Sequence, residues 1–272
     1  MSARSARPVS PVLAPFVESL HYHESAPPIA LERVLPNGRI HLMVNLHEDE
    51  FRTYHGRDCA IVQRTHGAVL AGAHAQPTVI DTREQRCLVT VDFKLGGAAP
   101  FFTAPLSETR DRLVELDQLW GRDGVLLRER LLEAHTPQAK LQVLETVLLG
   151  HLVRPGDPDP AIPFAASAFE RGVPVSQVTS RLGLLPLTFV RRFRAQVGLT
   201  PKRFSRVRRL QRVVQSIVDP GAADWSALAA QHGYTDQAHL IHDFRDLTGI
   251  TPAAYRPRSA AERNHVPLAI SR

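Results

Sequence analysis

Phe193-Arg194-Ala195-Gln196-Val197-Gly198-Leu199-Thr200-Pro201 returns further along the chain as Phe244-Arg245-Asp246-Leu247-Thr248-Gly249-Ile250-Thr251-Pro252. The offset is constant, and Phe204 after the first proline matches Tyr255 after the second. Each copy follows a short amphipathic segment, a glycine turn and a second amphipathic segment. A repeated helix–turn–helix unit presents two helices able to enter successive stretches of a DNA groove.

The apolar positions outline each unit. In the first, Val175, Val178 and Leu182 recur at helical spacing, and Gly183 ends the segment. After the turn, Phe189, Phe193 and Val197 share the face to be buried, while Leu187, Val190, Arg191 and Arg194 share another. In the second unit Asp224 is the expected N-cap for a helix from Trp225 to Gln231, with Leu228 inward. Gly233 makes the turn, and Asp236 caps a helix whose core face is Leu240, Phe244 and Leu247. Gln237, Ala238, Ile241, His242 and Arg245 lie on its other face. Between the units, Pro201 suits the first turn of a connecting helix that runs to about Ser216 and carries six Lys and Arg residues.

The two units, the Gly-x-Thr-Pro-x-x-Phe/Tyr signature after each, and the closing Tyr255-Arg256 resemble the DNA-binding domain of AraC-type transcriptional regulators, over roughly residues 162–257. Leu187 and Val190 are apolar where that family usually shows polar, base-reading side chains, and Thr179 stands where a small Ala is common. The resemblance implies a sequence-specific transcriptional regulator with an operator duplex as partner. It leaves room for RNA polymerase, a small-molecule effector and a second copy of the chain. It also implies a first base-contacting set, Leu187, Thr188, Val190 and Arg191, and a second, Gln237, Ala238, Ile241 and His242. Arg191 suits guanine, because a guanidinium can grip O6 and N7 together, and Gln237 suits adenine. Arg194, Thr200, Lys202 and Arg203 are the expected phosphate contacts, three of them at the start of the connecting helix.

Charge agrees. Of 33 Lys and Arg and 27 Asp and Glu in the 272-residue chain, residues 162–258 hold 14 basic and 6 acidic side chains, so the remainder is net acidic although the whole is +6. Localised basicity is what a phosphate-facing surface needs.

The chain is long enough for two domains. Met1 to Pro11 has no apolar core of a secretory signal and is expected to be flexible, and no run is long and apolar enough to span a membrane, so a cytoplasmic protein is expected. Cys59 and Cys87 lack the spacing of a metal or redox motif. Ile40 to Leu46, Ala68 to Leu70, Pro77 to Asp81 and Leu88 to Phe93 read as strands. Residues 12–153 are therefore expected to form a β-rich barrel or sandwich, followed from about 107 by helices around Leu113 to Trp120, Leu126 to Leu132 and Leu141 to Leu152, with Ser107 a candidate N-cap. The apolar face of the last, with Leu127 and Leu131, either packs on its own domain or pairs across a homodimer. The Pro-rich stretch 154–161 reads as a linker, 162–257 as the DNA-binding domain and 258–272 as a flexible tail. The expected fold class is thus α+β: a β-rich domain, its helices, then an all-α domain of two helix–turn–helix units.

Glu32 to Gly38, Phe93 to Phe101 and Leu116 to Gly121 are similar to an N-terminal domain often joined to such DNA-binding units, a β-barrel effector-binding or dimerisation module. Its effector does not follow. The alternative is a metal-dependent cupin-like enzyme or sensor domain, with His41, His47 and Glu48 as ligands. Their spacing fits no defined ligand motif. Gly96-Gly97 is not followed by Gly-Lys-Ser/Thr, which leaves a turn rather than a phosphate loop. No cofactor, metal or catalytic residue is expected.

Overall fold

The computed structural model describes residues 2–25, 31–56, 59–153 and 159–268. The first half supplies strands β1 (Ser2–Ala6), β2 (Val17–Glu24), β3 (Leu31–Val34), β4 (His41–Asn45), β5 (Glu50–His55), β6 (Ile61–His66), β7 (Ala68–Ala71), β8 (Thr78–Asp81), β9 (Cys87–Phe93) and β10 (Leu113–Glu115). Helices α1 (Leu116–Trp120), α2 (Arg122–Glu133) and α3 (Pro137–Gly150) follow. The second half is helical, with α4 (Ala161–Glu170), α5 (Val175–Leu182), α6 (Pro186–Val197), α7 (Pro201–Ser216), α8 (Trp225–Gln231) and α9 (Gln237–Thr248), before a last strand, β11 (His265–Pro267).

The strands form two antiparallel sheets, ordered β1-β2-β9-β4-β7-β10 and β11-β3-β8-β5-β6. This is a sandwich, not a closed barrel. Alternation along β4 and β9 decides what each face does. Leu42 pairs with Val91 and Val44 with Val89, and all four are buried. His41 opposite Asp92 and Met43 opposite Thr90 point the other way, into a cavity. Helices α2 and α3 send Leu127, Leu131, Leu144 and Leu148 into the core at 0% exposure. Leu127 and Leu131 are thus committed to their own domain and cannot pair across a dimer.

Three expectations are corrected here. Leu113 to Glu115 is strand β10 on the edge beside β7, and Ser107 lies within a short 3-10 turn (Leu106–Glu108) rather than capping a helix. The N-terminal segment expected to be flexible contributes β1, whose backbone pairs with β2 from Ser2↔Glu24 to Ala6↔Leu20. The expected flexible tail contributes β11, which pairs with β3. Both strands are too polar to show an alternating pattern; backbone hydrogen bonding to a waiting sheet edge orders them. Of the expected linker, 154–158 lie outside the described residues.

The helical half follows its local signals. Thr200, Asp224 and Asp236 cap α7, α8 and α9 through their side chains, and Gly183, Gly198 and Gly249 close α5, α6 and α9 in the left-handed region. Phe169, Phe189, Phe193 and Phe204 meet ring to ring at 5.6–6.4 Å in the core of the first unit. The two halves also share packing. Gly38 sits at φ +70°, where a Cβ would lie 3.4 Å from both Phe204 and Val207. Gly96 stands against Ile162, and Gly198 against Ala73 and Leu106. The β-sandwich therefore covers part of the helical core.

Candidate nucleic-acid interface

Helix α6 follows a glycine turn and buries Phe189, Phe193 and Val197, which turns its opposite side to solvent. Leu187 is 86% exposed there, and Arg191 and Arg194 are exposed one and two turns on. Thr188 and Val190 are placed at the margins of that face, Val190 half-buried. Helix α9 repeats the arrangement, with Leu240, Phe244 and Leu247 inward and Gln237, Ala238, Ile241, His242 and Arg245 exposed. Thr179, on α5, is buried, and its hydroxyl is satisfied by donating to the Ser176 carbonyl at 2.9 Å.

The phosphate-contact candidates divide. Arg194 and Lys202 are exposed. The Thr200 hydroxyl accepts from the Arg203 amide at 3.3 Å, so it caps α7. Arg203 is half-buried and lies 3.6 Å from Asp111 of the β-sandwich.

The connecting helix corrects the charge argument. Arg206 and Arg209 both grip Asp243 of α9, and Arg206 also reaches Asp246. Arg209 lies over the Tyr234 ring at 4.1 Å. Arg208 pairs with Glu170 at 3.1 Å, and Arg212 donates to the Phe169 and Glu170 carbonyls, closing α4. These four guanidiniums hold helices together. Arg191, Arg194, Lys202 and Arg245 have no ion-pair partner among the described residues. Asp243 was legible in principle: it sits between Leu240 and Phe244 on the inward face, where a carboxylate demands cations.

The β-sandwich encloses a cavity of about 320 Å³ that the sequence did not announce. Leu35, Met43, Phe51 and Leu88 give it apolar walls, and His41, His74, Gln76, Gln85 and His265 give it polar ones. Asp92 accepts from His21 at 3.0 Å and His41 at 2.8 Å. Burial would raise its carboxyl, but the two histidines hold it well below the usual carboxylate range. His74 donates to the Gly72 carbonyl at 2.6 Å, and burial pushes its ring below the ordinary histidine value. His47 is exposed and away from the cavity that His41 lines, so the candidate set of His41, His47 and Glu48 is not brought together. Among the described residues, no three His, Cys, Asp or Glu side chains are arranged to hold a metal ion, and no helix is long and apolar enough to cross a membrane.

Comparisons with known proteins match both halves. Residues 178–258 match a family described as a helix-turn-helix domain, and residues 6–115 match a domain of unknown function (DUF6597). Among solved structures the chain is similar to ToxT from Vibrio cholerae, with a TM-score of 0.44 at 8% identity over 94% of this chain and 98% of that one. A ToxT structure with a bound unsaturated fatty acid gives a TM-score of 0.43 at 9% identity, over 87% of this chain and 92% of that one. No curated protein matches the chain. The paired helix–turn–helix units thus fall almost wholly within the stretch that matches a helix-turn-helix domain, and a β-sandwich matching a domain of unknown function precedes them.

Proposed function

We propose that the chain binds an operator duplex sequence-specifically through the exposed faces of α6 and α9, and that a small molecule in the cavity of the β-sandwich controls it. In this reading residues 12–153 are the regulatory domain and 162–257 the DNA-binding domain. Arg191 and Gln237 read bases, flanked by Leu187, Thr188 and Val190 on α6 and by Ala238, Ile241 and His242 on α9. Leu187 offers a thymine methyl its apolar contact. Arg194 and Lys202 meet phosphates, and Arg203 joins them once freed from Asp111.

One observation carries the reading. The basic side chains on α6, on α9 and at the start of α7 include exposed, unpaired cations, whereas those along the rest of α7 are engaged inside the fold. A basic surface with no internal partner is suited to phosphates and base edges. The cavity supports effector control through its size, its mixed walls and its lining by Pro36 and Asn37, whose carbonyls accept from Gln211 and Arg208 of the connecting helix. RNA polymerase, cytoplasmic residence and a homodimer belong to the same reading. For the dimer, Val125, Leu132 and Leu149 remain exposed on α2 and α3.

Selection of bound duplexes from random DNA tests it. The expected result is a motif with two half-contacts, lost on scrambling. Equal retention of all sequences would leave only non-specific coating of DNA.

A further inference from the structure

Beyond the last helix–turn–helix unit the chain turns back. The Arg258 amide donates to the His265 carbonyl at 2.7 Å, and the Tyr255 hydroxyl donates to the Arg263 carbonyl at 2.8 Å. The Arg263 guanidinium then closes the C-terminal end of α7, donating to the carbonyls of Val214, Gln215 and Ile217. Strand β11 runs antiparallel beside β3, continued by Leu35 N–H to Asn264 O at 2.8 Å and Leu268 N–H to Leu31 O at 3.0 Å. Pro267 faces Glu32, between hydrogen-bonded pairs, where no ladder donor is required of it.

Glu32 is the centre of this attachment. It is 0% exposed, and it accepts from Arg258 at 2.8 Å and His265 at 3.0 Å. Burial acts to raise its carboxyl, and the hydrogen bonds from His265 and Arg258 hold it below the usual range. Both partners come from the far end of the chain. Without them a carboxylate of the β-sandwich would be buried unpaired.

The same stretch of β-sandwich also touches the cavity and the connecting helix. His265, Val34, Leu35 and Asn37 line the cavity. The Pro36 carbonyl accepts from Gln211 at 2.8 Å, and the Asn37 carbonyl from Arg208 at 3.2 Å. Gln211 donates as well to the Asn264 side chain at 2.9 Å.

We propose that residues 258–268 are an intramolecular strap that couples the cavity to the DNA-binding helices. This rests on the reading that the cavity takes an effector and that α6 and α9 bind DNA. With the strap closed, α7 is seated on the loop 35–39 and Arg203 is committed to Asp111, so the closed form binds DNA weakly. An occupant of the cavity meets His265 and residues 34–37 together and thereby biases closure. Release of the strap frees α7 and returns Arg203 to phosphate.

The test compares the full-length chain with one lacking residues 259–272 and with Glu32→Gln, which keeps the side-chain shape and removes the charge that Arg258 and His265 meet. Hydrogen exchange and titrations of a selected duplex at several salt concentrations are measured on each. Expected are faster exchange in residues 31–39 and in α7, roughly tenfold tighter DNA binding, and a salt slope steeper by about one phosphate contact. If the shortened chain does not fold by circular dichroism, Glu32→Gln alone decides. Faster exchange confined to β3, with α7 protection and DNA affinity unchanged, would show a mere cover for the sheet edge and overturn the strap. Failure of the wild-type chain to select any duplex would instead sink the regulator reading, while exchange in α7 still judges the strap.

Discussion

Arg209 on the connecting helix α7 donates to Asp243 on α9 at 2.7 Å, and Asp243 is buried. Arg206 takes the other carboxylate oxygen, also at 2.7 Å. Burial would raise the Asp243 carboxyl, but Arg206 and Arg209 hold it below the usual range. The seat of α9 is thus set by α7 through the buried Asp243, with Asp246 held beside it by Arg206. An arginine-rich helix that looks like a DNA-binding surface is largely an internal brace.

Asp243→Ala leaves two guanidiniums facing a void where their partner stood. The expected cost is about 3 kcal/mol, a fall in melting temperature of roughly 6–12 °C. Thermal unfolding by circular dichroism measures it. An unchanged melting temperature would return Arg206 and Arg209 to the pool of free surface charge.

Base reading and phosphate holding separate by sequence dependence. Arg191→Ala and Gln237→Ala should each weaken the selected duplex by about 1–3 kcal/mol while barely changing a scrambled one. Lys202→Ala should weaken both alike and lower the salt slope by about one. Titrations on both duplexes at two salt concentrations give the answer. Equal loss on both duplexes for Arg191→Ala would remove α6 from base reading.

Acid should destabilise the fold in two stages. His74 is held below its ordinary value of about 6.5, so its contribution is complete above that pH and is lost as pH falls through the lowered folded value. Glu32, Asp92 and Asp243 are likewise lowered, so their contributions are present above the usual carboxylate value of about 4 and disappear as pH falls further. Urea unfolding at about pH 7.5, 5.5 and 3.5 spans both stages. Stability that rose on acidification would contradict the assigned partners.

The DNA-binding half should depend on the β-sandwich. Taken alone, the repeat predicts that residues 162–258 fold and bind DNA in isolation. In the structure, however, Phe204, Val207 and Ile162 are packed against Gly38 and Gly96. An isolated fragment should therefore melt several degrees below the same helices in the whole chain, and Gly38→Val should lower the melting temperature of the whole chain by straining φ and crowding Phe204. A fragment as stable as its parent would show that this packing adds nothing.

What could be read from the sequence was local. The caps at Asp224 and Asp236 act within three residues of the amides they satisfy, and the apolar faces of α6 and α9 repeat every turn. The repeat around Gly198 and Gly249 therefore specifies two helix–turn–helix units by itself, together with the outward set from Leu187 to Arg194 and from Gln237 to Arg245. Strands β4, β7, β8 and β9 were legible because their side chains meet the core. Strands β1 and β11 were not, because their order comes from backbone pairing to a distant edge, and nothing near Ser2 or His265 specifies that edge. Which arginines face outward was likewise a tertiary matter: Arg191 and Arg209 are the same residue type on neighbouring helices, and only packing sets Arg209 beside Asp243 while leaving Arg191 open to solvent. Local hydrogen bonds and periodicity determined the elements; charge pairing and edge strands, whose partners lie far away in sequence, were decided only when the chain closed on itself.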